Sequence, residues 1–312
     1  MHPYVTIFGH IIGSYAIMSF IAIVISALMA VFYFSKFYNI NKEDVFYAFL
    51  FALIGCFLGA KLLYIFINLP ILIQYILAGK FNDMYLSLIR GGLVFYGGLF
   101  GTIFGLWIYA KTFNISFKTL FFIAVPVIPL FHSIARIGCF LAGCCYGIEY
   151  HGFGSVIFQK TPYARIGIPL FPTQLIESAC NMIIFLILFI TYKKFKGTFK
   201  TCALYCILYS ITRFTLEFFR GDVERGIIIG LSTSQWISII LFIIGIILII
   251  KENKTVTDKW IEIFSLTSHS FLIYLIFSFI LILCYRINWW NKANSVSFFI
   301  IFKFIIIFRK FF

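Results

Sequence analysis

Seven stretches of this chain are apolar for close to the length of a bilayer core, near 11–34, 45–67, 91–110, 120–143, 173–192, 202–219 and 234–251. A helix needs about 20 apolar residues to cross the hydrocarbon of a membrane. In lipid, backbone polar groups have to be satisfied within the segment, which leaves the helix as the solution for such runs. The sequence therefore predicts an all-α, polytopic integral membrane protein. With 62% hydrophobic and only 12% charged residues, it falls outside the range of soluble domains, which are about half apolar and a quarter charged.

An eighth apolar run lies near 266–285, and a shorter one at 296–308 contains Lys303 and reads as interfacial. The chain thus divides into a seven-helix body, 1–251, and a hydrophobic, basic extension, 252–312. The start, "MHPYVTIFGH", has neither the basic residues nor the small-residue cleavage site of a signal peptide. The first run is expected to remain as a membrane helix.

A net charge of +14 would suggest nucleic acid as a partner in a soluble protein. Here the basic residues collect in loops, where anionic lipid and the positive-inside rule account for them, and no nucleic-acid partner is expected. With the N-terminus outside, the inner loops carry eleven basic residues, including Lys193, Lys194, Lys196 and Lys200, against six in the outer loops. That asymmetry predicts an N-terminus-out protein with the loops near 68–90, 144–172 and 220–233 on the outer face. The first of these, broken by Pro70 and Gly79, reads as an arm along the membrane surface.

Two glycine series stand out. Gly55 and Gly59 are four residues apart, as are Gly97, Gly101 and Gly105. Small residues at that spacing let membrane helices approach closely. Charges inside apolar runs are the sharper signal, since a mid-bilayer arginine costs about 2.5–3.5 kcal/mol on insertion scales. Arg136 follows "LFFIAVPVIPLFHSIA", and Arg213 lies within "LYCILYSITRFTLEFFRGD". Arg136 has the option of snorkelling to a headgroup, and Arg213 that of pairing with Glu217 one turn on. Two arginines at one leaflet point further, to a site for an anionic headgroup, because guanidinium binds phosphate through paired, charge-assisted hydrogen bonds. Arg220 and Asp222 read as rim charges.

The chain has eight cysteines. Most lie in apolar runs, where a thiol acts as a small hydrophobe. Cys139, Cys144 and Cys145, flanked by His132 and His151, raise metal or redox chemistry. The set holds a single pair at the C-x2–4-C spacing of zinc sites, Cys139 and Cys144, where such sites combine two pairs, and adjacent cysteines are badly placed for a mutual disulfide. No metal is expected. A Cys139–Cys144 bridge requires a sharp bend, for which Gly143 and Gly147 are available.

Six separated segments together resemble the bacterial prolipoprotein diacylglyceryl transferases: "IGSYAIM", "GGLVFYGGLFG", "RIGCFLAGCCYG", "FPTQLIES", "YSITRFTLEFFRGD" and "LSTSQWIS". They run in order from about Tyr15 to Gly245. The resemblance implies transfer of a diacylglyceryl group from phosphatidylglycerol to the lipobox cysteine thiol of a lipoprotein precursor, with glycerol phosphate leaving. It implies a multi-pass protein of the bacterial cytoplasmic (inner) membrane with its site at the outer leaflet, and no metal or soluble cofactor. It assigns Arg136 and Arg213 to the lipid phosphate and Glu217 to orienting Arg213 or assisting proton removal. Tyr15, Cys139, Gly147, Gln174 and Arg220 would complete the substrate pocket.

This chain departs from the family pattern at four positions. Tyr96 stands where a histidine is usual, Cys139 where asparagine is usual, Cys144 where a carboxylate is usual, and Phe171 where a second histidine is usual. Tyr96 is the candidate proton acceptor, although a phenol with an ordinary pKa near 10 is a poor base at neutral pH. Two other readings keep the fold: a membrane thiol-disulfide or thiol-carrier protein using Cys139, Cys144 and Cys145, and a non-catalytic lipid-binding relative. A transporter has little support, because Pro126 and Pro129 interrupt one span only and no inverted repeat is visible.

Overall fold

A computed structural model describes residues 3–90, 92, 94–222 and 227–253. The predicted runs at 266–285 and 296–308 lie outside the described residues. The chain opens with a hairpin, β1 (Tyr4–Ile7) and β2 (His10–Gly13), followed by α1 (Ser14–Phe32) and a 3-10 turn, Phe34–Phe37. Then come α2 (Lys42–Ile67), α3 (Leu69–Leu77), α4 (Phe81–Arg90), α5 (Phe95–Thr112), α6 (Phe117–Ala124) and α7 (Val127–Ala142). A short hairpin, β3 (Val156–Ile157) and β4 (Pro169–Leu170), leads to α8 (Thr173–Thr191) and α9 (Lys200–Glu217). The hairpin of β5 (Ile227–Ile228) and β6 (Leu231–Ser232) precedes α10 (Thr233–Asn253). The protein is all-α in class, and the strands are confined to turns outside the helices.

Among the described residues, five segments are long and apolar enough to cross a membrane: Ser14–Phe37, Lys42–Ile67, Phe117–Ala142, Thr173–Thr191 and Thr233–Glu252. The other two predicted runs are the helices α5 and α9, which are less apolar. Four glycines and Lys111 dilute α5, and α9 contains Lys200, Arg213 and Glu217. Both pack against apolar neighbours, α5 on α2 and α9 on α8 and α10.

The first run starts later than its apolarity predicts. Ile11 and Ile12 pair with Thr6 and Val5 across the hairpin. The turn between the strands, Phe8–Gly9, has positive φ at both residues (48° and 79°), the geometry that matches strand twist in two-residue hairpins. The fourth run is broken between α6 and α7. Pro126 has no N–H, and its ring excludes the helical partner carbonyl. The carbonyl freed on Phe122 accepts from the buried Tyr192 hydroxyl at 3.0 Å, a repair that allows a proline inside a membrane helix.

The glycine series does what its spacing predicts. A Cβ on Gly55 would meet the Gly101 carbonyl, one on Gly59 the Gly97 carbonyl, and one on Gly105 the Phe51 carbonyl. Helices α2 and α5 therefore meet backbone to backbone along this face. A second core joins α1, α6, α7 and α8 through Ala22, Val31, Phe34, Ile123, Val127, Leu130, Ile134 and Phe185. It is closed at one end by stacked and edge-on rings of Tyr33, Phe34, Phe189 and Tyr192. At the other end, Gly138 of α7 fits against Tyr15 and Met18 of α1, and the charged residues gather there.

Candidate active site

Helices α7, α8, α9 and α10 pack as successive neighbours, and contacts between Ser133 and Ser178, Arg136 and Glu177, and Arg213 and Ser234 bring the end of α7, the start of α8, the end of α9 and the start of α10 to one end of the bundle. Each helix brings a polar side chain inward at that end. Arg136 lies six residues before the end of α7 and Arg213 four before the end of α9. At about 1.5 Å per residue, they sit within roughly two turns of the surface.

Glu177, near the start of α8, is the hub. It is only 3% exposed. Arg136 Nη2 stands 2.9 Å from Glu177 Oε1, off the axis of a hydrogen bond, so the attraction there is mainly between charges. Arg213 Nη1 lies 3.9 Å from Glu177 Oε2. Arg213 Nη2 pairs with Glu217 Oε2 at 2.7 Å and donates to Ser234 Oγ of α10 at 3.0 Å. Arg136 Nε donates to His132 Nε2 one turn earlier at 3.2 Å. The His132 ring packs 5.7 Å from that of Tyr209, which is within electrostatic reach of Glu177, Arg213, Arg136 and Tyr96.

Two guanidinium groups and two carboxylates thus neutralise one another in a buried layer. Such pairing is what a low-dielectric site requires, since a buried charge without a partner is strongly destabilising. One donor remains unfilled. Arg213 Nη1 is buried and has no hydrogen-bond acceptor among the described residues. A phosphate oxygen entering between Arg136 and Arg213 would supply one.

The loop after α7 closes over this layer. Gly143 takes a left-handed conformation (φ 79°) and ends α7, as a C-cap glycine does. The chain then runs between two others: Ile148 N donates to Phe219 O at 3.0 Å, Gly221 N to Tyr146 O at 3.0 Å, and Phe171 N to Ile148 O at 2.9 Å. Gly147 sits at the centre of this weave, bridged to Arg220. A Cβ there would run into the Phe171 carbonyl, which explains the glycine without any contact to substrate.

The remaining sequence candidates divide by what they touch. Cys139 accepts a long contact from Arg136 Nη1, 3.8 Å from Sγ. Tyr15 is 49% exposed, packs on Gly138 and is within electrostatic reach of Cys139 and Arg136. Gln174 is buried, and its amide donates to Cys144 O at 2.8 Å, so it holds the loop. Arg220 forms two hydrogen bonds to Asp222, Nε to Oδ1 at 3.0 Å and Nη2 to Oδ2 at 2.8 Å, and its side chain is almost wholly covered. Tyr96, at the start of α5 and 40% exposed, is within electrostatic reach of Tyr209. Phe171 stacks on Phe219, ring centres 5.0 Å apart, in the wall of the loop.

Sequence reasoning missed Glu177. It stands early in an apolar run, and the rule that singled out Arg136 and Arg213 applies to it equally. The sequence offers His132 only as a neighbour of the thiols, whereas its ring nitrogen accepts from Arg136 Nε.

The family model described as prolipoprotein diacylglyceryl transferase matches residues 3–251. A phosphatidylglycerol–prolipoprotein diacylglyceryl transferase of Clostridium tetani is 35% identical over 212 residues, 68% of this chain and 82% of that one. A second, from Clostridium perfringens, is 34% identical over 223 residues, 70% of this chain and 84% of its own length. A third, from Finegoldia magna, is 30% identical over 257 residues, 80% and 95% of the two chains.

Proposed function

The chain belongs to the prolipoprotein diacylglyceryl transferase family, and from that premise we propose that this multi-pass membrane enzyme moves a diacylglyceryl group from phosphatidylglycerol to the cysteine thiol of a lipoprotein precursor. The acceptor sulfur attacks the glyceryl carbon that bears the phosphate. A carbon–sulfur bond forms, the carbon–oxygen bond to phosphate breaks, and glycerol phosphate departs as the thiol proton is lost.

The observation that carries this reading is the pair Arg136 and Arg213. They come from two helices, converge on Glu177, and leave Arg213 Nη1 as a buried, unfilled donor. Guanidinium groups fixed before the reaction stabilise charge as it builds on the leaving phosphate. Glu217 and Ser234 fix Arg213, while His132 and Glu177 fix Arg136. Tyr15 and Cys139 lie near Arg136, and Gln174, Gly147 and Arg220 shape the loop over the charged layer. An acceptor thiol with an ordinary pKa near 8.5 is already a few per cent ionised at pH 7, so Tyr96 has little proton abstraction to do.

On this reading the protein lies in the bacterial cytoplasmic membrane with its N-terminus and the charged layer towards the outer leaflet. Residues 1–251 carry the activity, and 252–312 are an addition to it. The test is conversion of a lipobox peptide to its diacylglyceryl thioether, followed by mass, in liposomes containing phosphatidylglycerol. Arg136→Ala and Arg213→Ala are each expected to reduce turnover at least a hundredfold, and Tyr96→Phe by less than tenfold. A folded parent chain with no turnover on this lipid and peptide would sink the proposal.

A further inference from the structure

The sulfur atoms of Cys139, Cys144 and Cys145 all lie within 4.8 Å of one another. Their spacing in the sequence conceals this convergence. Cys139 is in the last turn of α7, and left-handed Gly143 folds the chain back so that Cys144 N donates to Cys139 O at 3.2 Å. Cys145 then adopts a positive φ of 59° itself, a conformation that side-chain-bearing residues rarely enter. Two side chains at the start of α8 hold it there: Thr173 Oγ1 donates to Cys145 O at 3.0 Å, and Gln174 Nε2 to Cys144 O at 2.8 Å. The turn aims adjacent cysteines and a third, one turn back, at a common point.

Three features of that point suit a soft cation. First, thiolates are the donors that select zinc and similar thiophilic ions. A zinc–sulfur bond of about 2.3 Å places tetrahedral sulfurs about 3.8 Å apart, which the cluster reaches by closing about 1 Å. Second, the charge is offset. Arg136 Nη1 is 3.8 Å from Cys139 Sγ, so a guanidinium stands beside the negative charge that metal-bound thiolates would carry. Third, all three cysteines are free thiols, and partial burial of Cys144 and Cys145 leaves an approach.

We propose that Cys139, Cys144 and Cys145 bind one thiophilic divalent ion of the zinc type, leaving its fourth position open. Three protein ligands with an open position are the pattern of a zinc site that acts on an incoming group. If the transferase reading holds, the incoming group is the acceptor cysteine. Its sulfur–hydrogen bond breaks as a sulfur–metal bond forms, the proton leaves to water, and the bound thiolate stands beside Arg136. That places deprotonation at the metal and relieves Tyr96 of it.

The experiment uses the full chain, purified in detergent under reducing conditions and stripped with a chelator, then titrated with cobalt(II) and back-titrated with zinc(II). The expected result is a near-ultraviolet thiolate–cobalt charge-transfer band that saturates at one ion per chain and is bleached by zinc. Cys139→Ser, Cys144→Ser and Cys145→Ser are each expected to weaken binding at least tenfold, and Cys56→Ser to leave it unchanged. No band in the parent chain would overturn the site, as would full binding by the triple serine variant. The parent titration decides the matter if a variant does not fold. A lipobox peptide is expected to shift the visible cobalt bands, and its Cys→Ser counterpart is not. No shift, or full turnover by the metal-free chain, would overturn the acceptor role and leave the transferase reading intact. Absence of turnover with and without zinc would count against the transferase reading and not against the cobalt result.

Discussion

At the scale of single residues, the charged layer depends on Glu177 more than on any arginine. It faces both Arg136 and Arg213, and Oε1 also lies 3.6 Å from His132 Nε2. Glu177→Gln keeps the shape and removes the charge, leaving two guanidinium groups with Glu217 alone. Breaking a buried ion pair from one side costs about 3–5 kcal/mol. The variant is expected to melt at lower temperature in detergent and to lose transferase turnover at least tenfold, with Glu177→Asp between it and the parent. An unchanged melt and rate would show that the hub is dispensable. The arginines were legible in the sequence because ionised groups in apolar runs are rare and expensive. Glu177 met the same criterion but was read only as part of a pattern. Its importance comes from lying between two helices, and that is set by packing rather than by its neighbours in sequence.

At the scale of elements, the contact between α2 and α5 was the most legible part of the fold. Four-residue glycine spacing states a packing face directly, because such a face has one geometric use in a membrane. The hairpin before α1 and the break at Pro126 were less legible. Ile11 and Ile12 are as apolar as the helix they precede, so only the Phe8–Gly9 turn reveals the strand. The break needed a partner for the Phe122 carbonyl, and Tyr192 supplies it from another helix. The glycine face yields a graded expectation. Gly101→Ala drives a methyl group into the backbone of Gly55, whereas Gly98→Ala meets the Cys56 side chain at 3.1 Å, which has room to turn. Gly101→Ala is expected to cost about 1–3 kcal/mol, as overpacking does, and Gly98→Ala less. Thermal melts of the two variants against the parent check the order.

At the scale of the whole molecule, the apolar runs placed the helices of the body, and loop charge supplied an orientation. The runs predicted at 91–110 and 202–219 form α5 and α9, which are less apolar than the candidate spans for a reason that bears on function: α5 carries glycines for close packing, and α9 carries Arg213 and Glu217. The orientation is open to direct test. Phe153, in the loop after α7, is 97% exposed, and Lys196 lies in the basic turn between α8 and α9. Phe153→Cys is expected to react with a membrane-impermeant maleimide in intact cells, and Lys196→Cys only after lysis, each read against the labelling of the parent chain as the background of native thiols. The reverse pattern would put the charged layer at the inner leaflet.

The pairing of charges also bears on how the chain enters the bilayer during synthesis. Helix α9 carries Arg213 and Glu217 on one face, already joined at 2.7 Å, and so arrives at the translocon with its own counter-ion. Helix α7 has no such provision, because the carboxylate that faces Arg136 belongs to the next helix. Its insertion is therefore tied to that of α8, and the two are expected to partition into lipid as a hairpin, with the arginine held at the translocon wall or the headgroups until Glu177 arrives.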